Sequence, residues 1–80
     1  MSIELQKLFG HNVRRLREEQ GLTQSELALK ARINRSYLGG VERGQRRICI
    51  ENIAKIAQAL AVSPDLLFRA EITTGDKNTS

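Results

Sequence analysis

The chain has 80 residues, enough for one compact domain without a second independent core. A domain this small buries only about 60% of its unfolded surface, and 4% of its residues are aromatic, so a large substrate cavity is excluded. Thirteen Lys and Arg against nine Asp and Glu give a formal net charge of +4, which makes a polyanion the first partner to consider.

The cysteine count and the hydropathy pattern indicate where the protein works. Cys49 is the one cysteine, whereas a secreted domain of this size usually carries several disulfides. No stretch approaches the roughly 18 apolar residues of a membrane span or the apolar core of a signal peptide. We therefore expect a cytoplasmic protein that does not associate with membranes.

The first three helices are predicted from apolar spacing and capping residues. Apolar side chains three and four residues apart predict a helix over residues 3–20. A Thr-Gln-Ser-Glu capping box at residues 23–26 opens a short second helix that ends near Ala31. Asn34 caps a third helix, which ends at Gly44.

Two more helices complete the prediction. Apolar periodicity predicts a fourth helix over residues 50–60, and a serine-proline pair at residues 63–64 is typical of a fifth helix start. The last ten residues are polar and lack periodicity, which predicts a flexible tail over residues 71–80. The sequence therefore predicts an all-α, five-helix domain over residues 1–70.

The second and third helices have the spacing of a DNA-binding helix-turn-helix. Positive charge is concentrated in the same part of the chain, since residues 1–48 hold ten basic and five acidic residues while residues 49–80 hold three and four. The face of the third helix that points away from the predicted core carries Arg35, Ser36, Gly39, Gly40 and Arg43. This face is the one that would enter a major groove.

The glycine pair on that face has two interpretations. Adjacent glycines inside a helix each cost about 1 kcal/mol relative to alanine, so a structural helix would avoid them. Gly39 and Gly40 either let the helix approach DNA closely, so that Arg35 reaches base edges, or allow close packing against a neighbouring helix.

At this point the sequence resembles a known family. Gln-Ser-Glu-Leu-Ala at residues 24–28, Ile33, and Asn-Arg-Ser-Tyr-Leu-Gly-Gly-Val-Glu-Arg-Gly at residues 34–44 look like the Cro/C1-type (Xre) helix-turn-helix domain of phage repressors. Within it, the string from Arg35 is most similar to the small controller proteins of restriction-modification systems. The likeness covers about residues 5–68 and implies a lambda-repressor-like DNA-binding fold in a bacterial or phage-encoded protein. Arg32 departs from it, because many such motifs place glycine there.

The resemblance implies a role for each matching residue. Arg35 is expected to read a base, since a guanidinium can bond guanine bidentately, and Ser36 is a second candidate for a base contact. The expected contacts to the DNA backbone are Gln24, Asn34, Tyr37, Arg43, Arg46 and Arg47. A half-buried tyrosine is the alternative for Tyr37, and a solvated charge run is the alternative for the three arginines near Gly44. Arg17 and Glu42 are expected to form an internal ion pair.

The sequence does not contain a set of residues that would form a catalytic site. His11 is the only histidine and lies on the polar face of the first helix, so neither a zinc site nor a histidine-based nucleophile relay can be assembled. Cys49 is interpreted as a small residue at a helix start, with an activated thiol as the alternative. We expect no enzyme activity, no metal and no cofactor.

The second half of the chain is expected to form a homodimer. Its candidate interface residues are Ile50, Ile53, Leu66, Leu67 and Phe68, although some of them must fill the monomer core. A two-fold dimer would place two recognition helices about 34 Å apart on a pseudo-palindromic operator of double-stranded DNA.

The leading hypothesis is therefore a homodimeric transcription regulator, a restriction-modification controller. A phage repressor or an antitoxin-type regulator is the alternative within that class, and a protein-interaction module that has lost DNA binding is the alternative from another class. RNA polymerase is a further candidate partner. No small-molecule effector is expected, because the chain has no room for a sensor domain.

Overall fold

The computed structural model describes residues 2–70, which contain four α-helices, one 3-10 helix and no strands. In chain order the elements are α1 (Ile3–Glu19), α2 (Gln24–Ala31), α3 (Arg35–Glu42), α4 (Ile50–Leu60) and the 3-10 helix Pro64–Phe68. The predicted tail at residues 71–80 lies outside the described residues.

The first three helices begin at the predicted caps. The Ser2 hydroxyl accepts a hydrogen bond from the backbone N–H of Leu5. Thr23 and Glu26 form the complete capping box at the start of α2. Each cap satisfies backbone N–H groups that lack a partner inside the helix, so local sequence is sufficient to place these starts.

The prediction of a fifth α-helix is wrong, because the segment after α4 forms a five-residue 3-10 helix. The Ser63 hydroxyl donates to the Asp65 carboxylate instead of accepting from a backbone N–H, so the segment has no side-chain cap. A short uncapped segment gains too few i to i−4 hydrogen bonds to offset helix nucleation, and 3-10 geometry suits such lengths.

The core lies where α1 packs on α3 and the 3-10 helix, and where α2 packs on α3 and α4. Its completely buried large side chains come from every element: Phe9, Val13, Leu27, Leu38, Val41, Ile56, Leu60 and Leu67. Full burial of one such side chain stabilises the fold by about 2 kcal/mol, so this shared core holds the short helices in place.

The crossing of α1 and α3 depends on Gly10. A Cβ atom at residue 10 would come within 2.1 Å of the Val41 carbonyl oxygen and 2.9 Å of the Glu42 carbonyl oxygen. Only a residue without a side chain permits this approach, which sets how α3 is held against the rest of the domain.

Two polar side chains donate hydrogen bonds to backbone carbonyls at the ends of α4 and the 3-10 helix. Asn12 is fully buried, and its amide nitrogen donates to the backbone carbonyls of Leu67 and Arg69, each at 2.9 Å. The Gln20 side chain donates to the Leu60 carbonyl at 2.8 Å, which joins the ends of α1 and α4. These bonds satisfy carbonyls that no helix partner reaches.

Candidate nucleic-acid interface

The amino-terminal turn of α3 presents Arg35 and Ser36 to solvent. Asn34 caps the turn, and its side-chain oxygen accepts from the backbone N–H groups of Ser36 at 2.7 Å and Tyr37 at 3.2 Å. The Arg35 guanidinium forms no hydrogen bond or ion pair within residues 2–70. The capped turn therefore holds a cation outward whose donors are all available to a ligand.

The glycine pair of α3 lies beneath long polar side chains. A Cβ at Gly39 would meet the Arg43 guanidinium at 3.3 Å and the Gln24 amide oxygen at 3.6 Å. A Cβ at Gly40 would come within 2.4 Å of the Arg46 side chain. The glycines thus make room for the polar and cationic groups that cover this face, an arrangement that neither sequence interpretation described.

Beneath this face, Arg17 and Glu42 form a bidentate ion pair between α1 and α3. The guanidinium Nε and Nη2 atoms donate to the two carboxylate oxygens at 2.7 and 3.0 Å, and the Arg17 Nη1 atom donates to the Leu22 carbonyl at 2.8 Å. The side chains are 11% and 2% exposed. Hydrogen bonding to Glu42 raises the pKa of Arg17 above its ordinary value, although burial opposes this shift.

Gln24 belongs to the same network. Its amide nitrogen donates to a Glu42 carboxylate oxygen at 3.0 Å, so one of its two N–H donors is already used inside the protein. A carboxylate that binds both Arg17 and Gln24 holds the start of α2 against α3. The second N–H of the Gln24 amide is what remains for the predicted phosphate contact.

Tyr37 is half-buried between α3 and α4. Its hydroxyl donates to the Arg47 carbonyl at 3.1 Å and accepts from the Asn52 amide at 3.2 Å. The Arg46 guanidinium lies 5.2 Å from the centre of the Tyr37 ring, within the range of a cation–π contact. The ring therefore orders the loop after α3.

The other two arginines predicted at the DNA backbone are exposed on the same loop. Arg43 donates from Nε to the Gln45 side-chain oxygen at 3.0 Å, which leaves its terminal nitrogens open. The backbone carbonyl of Arg47 accepts the hydrogen bond from the Tyr37 hydroxyl, and this contact fixes the position from which the Arg47 side chain extends. Arg46 is exposed on this loop as well, and Arg35 is exposed at the amino-terminal end of α3.

The five residues predicted at a dimer interface differ in exposure. Ile50 is 83% exposed, and Ile53 and Leu66 are partly buried. The prediction that Leu67 lies at the dimer interface is wrong, because this residue is fully buried in the core and offers no surface to a partner. Phe68 is partly buried, with its ring 5.0 Å from that of Phe9.

Two residues that organise the domain were missed by sequence reasoning. Asn12 interrupts the apolar face of α1, and a polar residue at a core position is a signal for a buried hydrogen bond. Gly10 lies in the middle of the same helix, where an unexplained glycine indicates close approach.

Two negative findings concern residues 2–70. No helix in this range is long and apolar enough to cross a membrane. The same residues bring together no group of three or more His, Cys, Asp or Glu side chains that could hold a metal ion.

These features define a class of protein. The helix-turn-helix family HTH_3 matches residues 13–67, and the chain belongs to this family.

Particular relatives place the chain more narrowly. Control protein C.BamHI of Bacillus amyloliquefaciens is 39% identical over 69 residues, which cover 84% of this chain and 85% of that protein. The crystal structure of the restriction-modification controller protein C.AhdI from Aeromonas hydrophila is similar, with a TM-score of 0.77 and 48% identity over 79% of this chain and 96% of that one. The controller protein C.Esp1396I, solved as a tetramer in complex with its natural 35 base-pair operator, matches with a TM-score of 0.73 and 33% identity over 80% of this chain and 84% of that one.

Proposed function

We propose that this protein is a sequence-specific DNA-binding transcription regulator, a restriction-modification controller that binds a pseudo-palindromic operator as a homodimer. The observation that carries the proposal is Arg35 on the first turn of α3, exposed and without an ion pair or hydrogen bond to residues 2–70, within a helix-turn-helix shared with controller proteins. Similarity over most of both chains to C.BamHI and C.AhdI supports the controller class.

The side-chain chemistry of the residues around α3 gives each of them a role in DNA binding. Arg35 can donate two parallel hydrogen bonds to the O6 and N7 atoms of a guanine, and Ser36 lies beside it. Arg43, Arg46 and Arg47 would contact flanking phosphates, while Gln24 and Asn34 lie at the starts of α2 and α3, where backbone N–H groups favour anions. Ordering by Tyr37 would place the Arg46 and Arg47 side chains in advance of binding.

Homodimer formation would use the surface around Ile50 and Ile53 on α4, together with Leu66. One domain contacts few base pairs, so two linked domains are needed for tight binding at physiological salt. The exposure of Ile50 supports this surface, because a large aliphatic side chain in water is stabilised by burial against a partner. Replacing Ile50 with Asp should shift the protein toward the monomer in sedimentation equilibrium.

The experiment that tests the proposal begins with selection of duplexes from a random pool, followed by fluorescence anisotropy at fixed salt. Arg35→Ala should weaken binding to the selected site by about 1–3 kcal/mol, roughly 5- to 150-fold, and leave binding to unrelated duplex nearly unchanged. The control is Arg14→Ala, which removes an exposed cation of α1 that pairs with Glu18.

Two other results would contradict the proposal. If Arg35→Ala and Arg14→Ala behave alike, Arg35 does not read bases. If no duplex is enriched and binding depends on salt alone, the protein-interaction module becomes the better explanation.

A further inference from the structure

A second cationic surface lies between α2 and α4. An open groove of about 660 Å³ runs between the carboxyl-terminal ends of α2 and α4. Its lining is cationic or neutral, with no acidic residue, and consists of Lys30, Ala31, Arg32, Lys55, Gln58, Ala59 and Ala61. The three alanines give it a low floor on which an extended backbone could lie.

The cations of this groove differ from two arginines of α1 in their partners among residues 2–70. On α1, Arg14 and Arg15 each bind a glutamate one turn later, at 3.1 and 3.0 Å. The charged groups of Lys30, Arg32 and Lys55 form no ion pair or hydrogen bond within the described residues. All three side chains are exposed, so their positive potential is open to a ligand.

Arg32 is the C-cap of α2. It has φ +59° and ψ +45°, the left-handed conformation that glycine adopts without a steric penalty. Ala61, the C-cap of α4, has the same conformation and also lines the groove, so this geometry ends both helices and places the Arg32 side chain beside the groove.

The groove borders the proposed DNA contacts along the chain, because Arg32 is two residues before Asn34. Gln24 at the start of α2 lies against α3, and Asn52 near the start of α4 binds Tyr37. Lys30 is six residues after Gln24 on α2, and Lys55 is three residues after Asn52 on α4, about 9 and 5 Å at 1.5 Å per residue. Duplex binding must therefore be measured separately from peptide binding to distinguish the two surfaces.

We propose that this groove binds an acidic peptide segment of a partner protein, with Lys30, Arg32 and Lys55 pairing with its carboxylates. A low alanine floor fits an extended peptide, and three exposed cations that form no ion pair within residues 2–70 complement a segment that carries several Asp or Glu residues. The site would allow the protein to hold a second macromolecule while α3 occupies a duplex.

The test uses the full chain and a ten-residue peptide of alternating glutamate and glycine, with glutamine replacing glutamate in a neutral control peptide. Amide chemical shifts measured by NMR should move at Lys30, Arg32 and Lys55 with the acidic peptide only. The double variant Lys30→Gln/Lys55→Gln should weaken peptide binding at least fivefold. Lys7→Gln/Arg14→Gln, which has the same net charge, should weaken it less than twofold.

Four results would overturn the proposal. These are no shifts at millimolar peptide, equal loss in both double variants, shifts centred on Arg35, Arg43 and Arg46, or a loss of duplex binding specific to Lys30→Gln/Lys55→Gln. The third result would mean that the peptide imitates a DNA backbone, and the fourth that nucleic acid occupies the groove. Because duplex binding is measured separately, failure here leaves the proposed regulator function unaffected.

Discussion

Gly10 of α1 lies directly against the Val41 carbonyl of α3, so closely that a methyl group at residue 10 would sit 2.1 Å from that oxygen. The atom in the way belongs to the backbone of another helix and cannot rotate aside. The position of α3, and with it the candidate DNA interface, therefore depends on a residue in a different helix that carries no side chain.

Gly10→Ala should destabilise the domain by about 2 kcal/mol or more, even though alanine favours a helix by about 1 kcal/mol over glycine. The cost comes from forcing α1 and α3 apart. Urea unfolding followed by circular dichroism measures it. Gly39→Ala is the matched control, because its Cβ would meet only the flexible ends of Arg43 and Gln24, and its stability should equal or exceed that of the parent.

Glu42→Ala should cost about 3 kcal/mol, because it leaves the Arg17 guanidinium buried without its carboxylate and removes the acceptor of Gln24. Thermal melts measure the loss. Removing both charges with Arg17→Met/Glu42→Leu should recover much of it. The exposed Arg14–Glu18 pair is the comparison, and Arg14→Ala should change stability by less than about 0.5 kcal/mol. An unchanged melting temperature for Glu42→Ala would rule out this account.

Asn12→Ala should destabilise the fold by about 2 kcal/mol, because the buried carbonyl of Leu67 and the carbonyl of Arg69 lose their common donor. The effect should be strongest at the 3-10 helix, so hydrogen exchange of the amides at residues 66–69 should accelerate more than that of α2. Uniform acceleration across all helices would indicate general destabilisation and contradict an anchoring role for Asn12.

Arg32→Gly should stabilise the protein by about 0.5 kcal/mol. A left-handed conformation costs a non-glycine residue about 1–2 kcal/mol, and the greater freedom of glycine in the unfolded chain offsets part of the gain. Ala61→Gly at the end of α4 has the same φ of +59° and should show a gain of similar size, measured by the same unfolding experiment. A loss of stability on Arg32→Gly alone would mean that the arginine side chain makes a stabilising contact.

Several features were predictable because they depend on neighbours in the sequence. Helix starts at Ser2, Thr23 and Asn34 follow from a side-chain oxygen that reaches an amide two or three residues away. The exposure of Arg35 follows from helical periodicity once Leu38 and Val41 are assigned to the core.

Other features were beyond sequence reasoning because the partners are far apart in the chain. The amide of Gln24 was expected to face a phosphate, but one donor binds Glu42, which is 18 residues later. Leu67 was expected at a partner surface, but the packing of the 3-10 helix on α1 buries it. The fifth α-helix was predicted from the serine-proline pair at residues 63–64. In the structure the Ser63 hydroxyl donates to the Asp65 carboxylate, so it does not cap a helix.

The amino-acid sequence by itself determined the four α-helices, most of their boundaries and the polar, cationic character of the α3 face, since capping and periodicity act within a few residues. Tertiary structure alone decided how closely α1 and α3 cross at Gly10, which donors remain available on Gln24, and which apolar residues of the last segment are left for a partner. These properties depend on how closely segments that are distant in the sequence approach each other in space, and local sequence patterns do not determine that approach.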